Sequence, residues 1–170
     1  MDYTAWQDSG IMRDTLLSMP MKPVVWIGRS SIAGYGLFAG QDIRKGTEIL
    51  QYIGEKISKE ESARRVTSGN AYIFELTDKW DIDGKPLYNI ARYINHSCAP
   101  NCEVQKTTRT LWIVARRKII KGEELTYNYG YDRKEVRCNC GTKNCCGYIL
   151  DRKYGRLIEA KQRRKEMDPK

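Results

Sequence analysis

Arg92-Tyr93-Ile94-Asn95-His96-Ser97-Cys98-Ala99-Pro100-Asn101-Cys102 sets an amide, an imidazole, a hydroxyl and a thiol side by side at positions 95–98. His96 is the only histidine in the chain, so a metal centre built from several histidines is excluded. Cys98 and Cys102 belong to a set of six cysteines with Cys138, Cys140, Cys145 and Cys146. Cys138 and Cys140, two apart, are poorly placed to bridge each other, and the adjacent Cys145 and Cys146 could do so only with strain. The opening Met1-Asp2-Tyr3 lacks a basic-then-apolar leader, so an intracellular, reducing compartment is expected and the thiols read as metal ligands. Cys138, Cys140 and Cys145 put three thiols in eight residues around a glycine, which suits three corners of a tetrahedral zinc site. Spacing leaves the fourth ligand open among Cys98, Cys102, Cys146 and His96.

Around this stretch the chain is punctuated by short apolar runs. Val24-Val25-Trp26-Ile27, Glu48 to Ile53, Ala71 to Leu76 and Thr110 to Ala115 are rich in β-branched and aromatic residues and are expected as strands. One helix is expected between them: Ser58 opens it with Glu61 at capping-box spacing, and Gly69 stops it. A second is expected from Arg156 to about Lys165, where helix-forming residues predominate. No internal repeat and no low-complexity linker is evident. The core is therefore expected to be mainly β.

Two further constellations stand out. Ala33-Gly34-Tyr35-Gly36 spaces two glycines so that a backbone can pass close to a ligand, but lacks the third glycine of a dinucleotide fingerprint. In Gly122-Glu123-Glu124-Leu125-Thr126-Tyr127-Asn128-Tyr129-Gly130-Tyr131 three tyrosines alternate, so on a strand they would share one face. The 170 residues suffice for one domain with short tails. No apolar run approaches the roughly 18 residues of a membrane helix, so no membrane partner is expected. Lys and Arg number 30 against 21 Asp and Glu, a net charge of +9 that favours an acidic partner, with part of the excess in residues 152–170.

Taken in order, these segments resemble the SET-domain family of protein lysine methyltransferases. Gly34-Tyr35-Gly36 is similar to the family's first cofactor loop, Tyr52-Ile53-Gly54-Glu55 to its Tyr-x-Gly-Glu strand, and Asn95-His96-Ser97-Cys98 to its Asn-His-Ser-Cys signature. Gly122 to Tyr129 is similar to its last catalytic strand, and Cys138, Cys140 and Cys145 have the spacing of its post-SET segment. The resemblance covers about residues 23–150. It implies a fold of several small curved sheets with a C-terminal pseudoknot, few short helices and a zinc-bound post-SET segment. The division expected is an appendage at 1–22, the SET domain at 23–132, the post-SET segment at 133–151 and a basic tail or helix at 152–170. Two departures are plain: no cysteine-rich segment stands upstream of Pro23, and only 36 residues separate Glu55 from Arg92.

What the resemblance implies for chemistry is transfer of a methyl group from S-adenosylmethionine to a lysine side chain. Ala33, Gly34, Tyr35, Gly36 and Tyr72 would hold the methionine part of the cofactor, and Asn95 and His96 its adenine and amino-acid groups. Cys98 would complete a structural zinc site with Cys138, Cys140 and Cys145. Tyr52, Tyr127 and Tyr129 would line a channel for the lysine, Tyr129 being the main catalytic residue and Tyr127 a size gate giving mainly monomethylation. Substrates implied are a histone tail or another basic protein, with nucleic-acid or nucleosome contact through the basic tail. The compartment implied is the nucleus in a eukaryote, and the cytoplasm, or a host cell after delivery, in a bacterium. A zinc module whose tail binds nucleic acid would account for the charge and the cysteines, yet leaves Tyr52, Asn95, His96 and Tyr129 without a purpose.

Overall fold

The computed structural model describes residues 24–131 and 136–151; the expected appendage, tail helix and basic tail lie outside them. Strands β1 (Val25–Arg29) and β2 (Tyr35–Ala39) form an antiparallel hairpin. Strands β3 (Glu48–Gln51), β8 (Cys102–Lys106) and β9 (Leu111–Ala115) form a second sheet in the order β3-β9-β8. The third contains β4 (Glu55–Ser58), β5 (Ile73–Glu75) and β6 (Trp80–Asp83) in the order β4-β6-β5. Finally β7 (Asn95–His96) runs parallel to β10 (Thr126–Tyr127). The expected mainly β architecture of several small sheets is therefore present. All four runs expected as strands overlap one, β1 continuing two residues beyond its run. Leu37, Ile43, Ile49, Ile94, Leu111, Ile113, Ile119 and Leu125 are almost wholly buried and fill the space between the sheets. No helix among the described residues is long and apolar enough to cross a membrane.

Helix α1 (Lys59–Thr67) begins at the expected cap. Ser58 Oγ accepts the backbone N–H of Glu61, meeting one of the donors a helix start leaves open. The reciprocal half of the capping box is not made, because the Glu61 carboxylate accepts from Arg65 Nε at 2.6 Å instead. Gly69, at φ +86°, supplies the left-handed turn past the helix end. Strands β4 and β6 escape a reading by apolar alternation for a related reason. Asp81 and Asp83 are buried within β6, where Lys59 Nζ and Arg65 Nη1 meet their carboxylates at 2.6 Å each. Burial disfavours the charged Asp83, but hydrogen bonds from Asn70 and Arg65 more than offset it and hold its pKa low.

Against expectation, the fold contains a short internal repeat. Ile43-Arg44-Lys45-Gly46-Thr47-Glu48-Ile49 and Ile119-Ile120-Lys121-Gly122-Glu123-Glu124-Leu125 make the same turn and pair with each other. Ile43 N–H donates to Ile119 O at 2.8 Å, and Ile119 N–H to Ile43 O at 2.9 Å. Gly46 N–H donates to Ala115 O at 2.8 Å and Gly122 N–H to Ala39 O at 2.7 Å. Ala39 N–H reaches Glu123 O at 2.9 Å and Ala115 N–H reaches Thr47 O at 3.0 Å. Every bond has its mate under exchange of the two segments, which is a local two-fold. Both turns need φ > 0 at their glycine, +82° at Gly46 and +86° at Gly122. The repeat is only a turn long, with the identity confined to Ile, Lys, Gly and Glu, too little to register as periodicity.

This pairing fixes the segment that carries the alternating tyrosines. Ile119→Ala, at a fully buried mate of the two-fold, is expected to cost about 2–5 kcal/mol in urea unfolding. Ile120→Ala, at its exposed neighbour, should stay within about 0.5 kcal/mol.

Candidate active site and thiolate cluster

The pairing of β7 with β10 brings Asn95 opposite Thr126 and His96 opposite Tyr127, although the two strands are distant in the chain. A cavity of about 640 Å³ opens beside this junction. That is within the usual range for a small-molecule site. Ala33, Gly34, Tyr35 and Asn95 border it together with Tyr52, Tyr72, Tyr127 and Tyr129. Eight of the ten residues expected at the cofactor and the channel therefore share one cavity. Gly36 and His96 do not line it.

A second cavity of about 350 Å³ lies against the same tyrosines. Phe74, Lys106, Tyr127, Tyr129 and Gly130 border both, while Pro100, Glu103, Val104, Arg116 and Asn128 border only the second. The partition between them is aromatic. The Tyr52 and Phe74 rings lie 5.3 Å apart, Phe74 and Tyr127 5.9 Å, Tyr127 and Tyr129 5.0 Å, and Tyr129 and Tyr131 5.8 Å. Burial pushes the phenol pKa of Tyr52, Tyr127, Tyr129 and Tyr131 upward, so all four are un-ionised at neutral pH. Tyr52 Oη donates to Tyr72 O at 2.9 Å and Tyr129 Oη to Ile94 O at 3.0 Å. Burial of Tyr127 is as deep, yet among the described residues no group bonds its hydroxyl.

His96 connects this wall to the cysteines. Its Nδ1 accepts the backbone N–H of Tyr129 at 3.2 Å, so Nε2 carries the proton of the neutral ring, and Nε2 lies 3.6 Å from Cys98 Sγ. Burial lowers the imidazole pKa to about 4, which keeps the ring neutral. Its side chain is thus a strut between Cys98 and the Tyr129 backbone. Asn95, by contrast, reaches the glycine loop: its Nδ2 lies 3.0 Å from Tyr35 O and 3.3 Å from Ala33 O.

The Sγ atoms of Cys98, Cys138, Cys140 and Cys145 all lie within 4.8 Å of one another. Cys98 is 3.8 Å from Cys138 and 3.8 Å from Cys145. A tetrahedron with zinc–sulfur bonds of about 2.3 Å has edges of about 3.8 Å, so the sulfurs fit that ion. Burial and the neighbouring sulfurs push the Cys98 thiol pKa well up, and a divalent cation is what would let all four ionise together. Cys102 is buried against Asn101, and Cys146 Sγ lies 3.3 Å from Tyr148 O, both outside the cluster. Of the ligands that spacing leaves open, geometry selects Cys98.

Three contributors carry no mark in the sequence. Arg92 lies over the Tyr72 ring at 4.1 Å and borders the larger cavity. Its Nη1 donates to Lys85 O, while its buried Nε has no partner. Ser30 and Glu124 meet Asn95 beneath the glycine loop. Arg92 and Glu124 sit inside stretches already marked by their neighbours, but an arginine or glutamate carries no sign of where its side chain will turn. The orphaned Arg92 Nε and the loop's backbone suit an anionic end group, and the aromatic wall suits apolar and cationic parts of a ligand, so the residues present fit S-adenosylmethionine.

The chain belongs to the SET domain family, whose model matches residues 34–130. It is 36% identical over 84% of its length to "Histone-lysine N-methyltransferase, H3 lysine-4 specific" of Neurospora crassa, spanning 12% of that protein. It is 42% identical over 71% of its length to "Histone-lysine N-methyltransferase trr" of Drosophila melanogaster, spanning 6% of it. For "Histone-lysine N-methyltransferase 2D" of Homo sapiens the identity is 39%, over 71% of this chain and 2% of that one. Among solved structures, ctPRC2 in an autoinhibited conformation bound to S-adenosylmethionine matches with a TM-score of 0.58. The identity is 32%, over 64% of this chain and 15% of that one. The chain thus spans only a small part of each relative.

One zinc per chain is expected by elemental analysis of the purified protein. Cys98→Ser, Cys138→Ser or Cys145→Ser should lower the content or the affinity, whereas Cys102→Ser and Cys146→Ser should keep it at one. Chelation should also loosen the Tyr129 backbone through His96, read as faster amide exchange there.

Proposed function

We propose that this SET domain is a protein-lysine N-methyltransferase that uses S-adenosylmethionine and acts on a histone or another basic protein, working at chromatin where the substrate is a histone. The observation that carries the reading is the partition at Tyr127 and Tyr129. Two cavities share the un-ionised phenols of Tyr127 and Tyr129, one bordered by the glycine loop and Asn95, the other by Pro100, Glu103, Val104 and Arg116. A donor in one and an acceptor in the other would meet at these phenols, as an in-line methyl transfer requires. Support for the donor comes from family membership and from the related ctPRC2 chain, which is bound to S-adenosylmethionine.

Bound in the larger cavity, S-adenosylmethionine would supply a methyl group on a sulfonium. The protein's part is to bring a neutral amine to it. A lysine with a pKa near 10.4 is neutral about once in a few thousand molecules at pH 7. The aromatic wall of Tyr52, Phe74, Tyr127 and Tyr129 disfavours the ammonium and raises that fraction. Tyr129 is the main catalytic residue in this reading. Its backbone is held by His96 and its hydroxyl by Ile94 O, so the ring is fixed where the amine enters. A phenol that stays un-ionised is a poor base, and proton removal falls to water.

Tyr127 sets the number of methyl groups. Its hydroxyl, unlike those of Tyr52 and Tyr129, is free to hold a water or the amine itself. A lysine already methylated must turn that group into this space to realign its lone pair. Losing an ordered water without replacing its bonds costs about 1–3 kcal/mol, which slows a second transfer by roughly five- to 150-fold. Monomethyl-lysine is therefore the main product.

Incubation with labelled S-adenosylmethionine and nucleosomes, and separately with a cell lysate, should give methylated lysines by mass spectrometry; no transfer to any protein would refute the activity. Tyr129→Phe should lower kcat about ten- to a hundredfold with cofactor binding unchanged. Tyr127→Phe should move the product toward di- and trimethyl-lysine in a time course. Because the phenols stay protonated, kcat/KM should climb through pH 7–9.5 as the substrate lysine deprotonates, with no downturn from tyrosine ionisation. A profile that falls before pH 9.5 would show that an enzyme phenol or other group titrates in that range.

A further inference from the structure

Ser30, Asn95 and Glu124 come from three distant parts of the chain and meet at one point. Both oxygens of the Glu124 carboxylate accept from Ser30 Oγ, at 2.8 and 2.9 Å, and Oε1 also accepts from Asn95 Nδ2 at 2.7 Å. Ser30 Oγ in turn accepts the backbone N–H of Ile32 at 2.9 Å and of Ala33 at 3.4 Å. Asn95 Nδ2 faces the carbonyls of Ala33 and Tyr35, and Ser30 N–H closes the loop onto Gly34 O at 3.1 Å. Each end of the loop that borders the larger cavity is thus tied, through one intermediate side chain, to a single carboxylate. Bonds to an ionised acceptor are among the stronger ones a protein makes.

A Cβ on Gly36 would stand 2.4 Å from Glu124 Oε1, 2.8 Å from its Cδ and 3.1 Å from Ser30 Cβ, so the Glu124 carboxylate could not keep its place beside it. Gly36 lies on β2 without a positive φ, so alanine is allowed by its backbone and would displace the Glu124 carboxylate from its bonds. The larger cavity is bordered by its neighbours Gly34 and Tyr35 and not by Gly36 itself.

We infer that Glu124 is a positioning residue for the cofactor loop, acting through Ser30 and Asn95, and that Gly36 is glycine to admit Glu124 rather than a ligand. The inference rests on the S-adenosylmethionine reading of the larger cavity. Its effect belongs in the ground-state holding of the cofactor and not in the approach of the amine, which Tyr129 governs.

Calorimetry with S-adenosylmethionine and steady-state kinetics on the full chain test it. Glu124→Ala should raise the cofactor Kd and KM about ten- to a hundredfold, with kcat at saturating cofactor changed by less than about threefold. Gly36→Ala should do the same. The double variant should be no worse than Glu124→Ala alone, because the new methyl enters the vacated space. Multiplying losses in the double variant would show that Gly36 serves the ligand and would overturn the inference, as would unchanged binding by Glu124→Ala. Should thermal melting show that Glu124→Ala is unfolded, Ser30→Ala decides: an about fivefold or greater rise in cofactor KM supports the clamp, and an unchanged KM ends it. A wild-type chain that binds no S-adenosylmethionine would remove the cofactor reading itself, whereas a binding wild type with indifferent variants removes only the clamp.

Discussion

Two residues of parallel strand hold this site together. Asn95 and His96 pair with Thr126 and Tyr127, and Ser97 N–H continues the ladder to Tyr127 O at 3.2 Å. A two-residue ladder has little stability of its own, since the entropy of closing the long loop between its strands must be met elsewhere. It is met on both flanks. Upstream of β10, the two-fold pairing of the Gly46 and Gly122 turns fixes the chain against β2 and β9. Beyond β7, Cys98 enters the four-sulfur cluster, and Asn101 returns to β10 by accepting from Thr126 N–H at 2.8 Å. The junction is thus pinned from outside, and the tyrosines inherit their positions from it.

His96 shows how the four-thiol cluster and the phenol wall become one unit. Neutral and buried, it gives one nitrogen to the Tyr129 backbone and directs the other at a cluster sulfur. A protonated ring would have no acceptor role left for Tyr129 N–H, so the low imidazole pKa and the hydrogen-bond pattern require each other. The cysteines at 138–145 close over this side of the domain, and Cys138 N–H donates to Gly147 O at 3.1 Å within that segment. Structural zinc here would order a loop and, through His96, a tyrosine.

Much of this arrangement is legible in the amino-acid sequence. The tyrosines, Asn95 and the glycine loop can be named because their residue types are uncommon in such order, and helix α1 because Ser58 and Gly69 mark its ends. The fourth thiol is not legible from spacing, since Cys98 and Cys102 differ only in which way the chain turns after His96; resemblance names Cys98, and the sulfur positions agree. Strands β4 and β6 are hidden by Glu55, Asp81 and Asp83, whose charges are met by cations from α1 rather than by solvent alone. The spacing of Gly34 and Gly36 suggests room for a ligand at both, whereas the room at Gly36 is taken by Glu124. A missing side chain reports that something comes close, but sequence does not say what.

With a basic protein as substrate, as proposed, the positive charge of the chain would bear on it only through groups near the second cavity, because charges beyond a Debye length of about 8 Å are screened. At the second cavity the acidic groups are partnered: Glu103 lies 3.7 Å from Arg116, and Glu75, at the larger cavity, lies 3.0 Å from Lys106 and 3.5 Å from Lys59. These pairs are largely exposed, and exposed pairs contribute about 0–1 kcal/mol each. On that reading an arginine or lysine flanking the target residue would take over Glu103 or Glu75 at small cost, the displaced Arg116 or Lys106 moving into water. Net charge would then slow the approach of a basic tail more than it weakens the bound state, and recognition would rest on these two acidic positions.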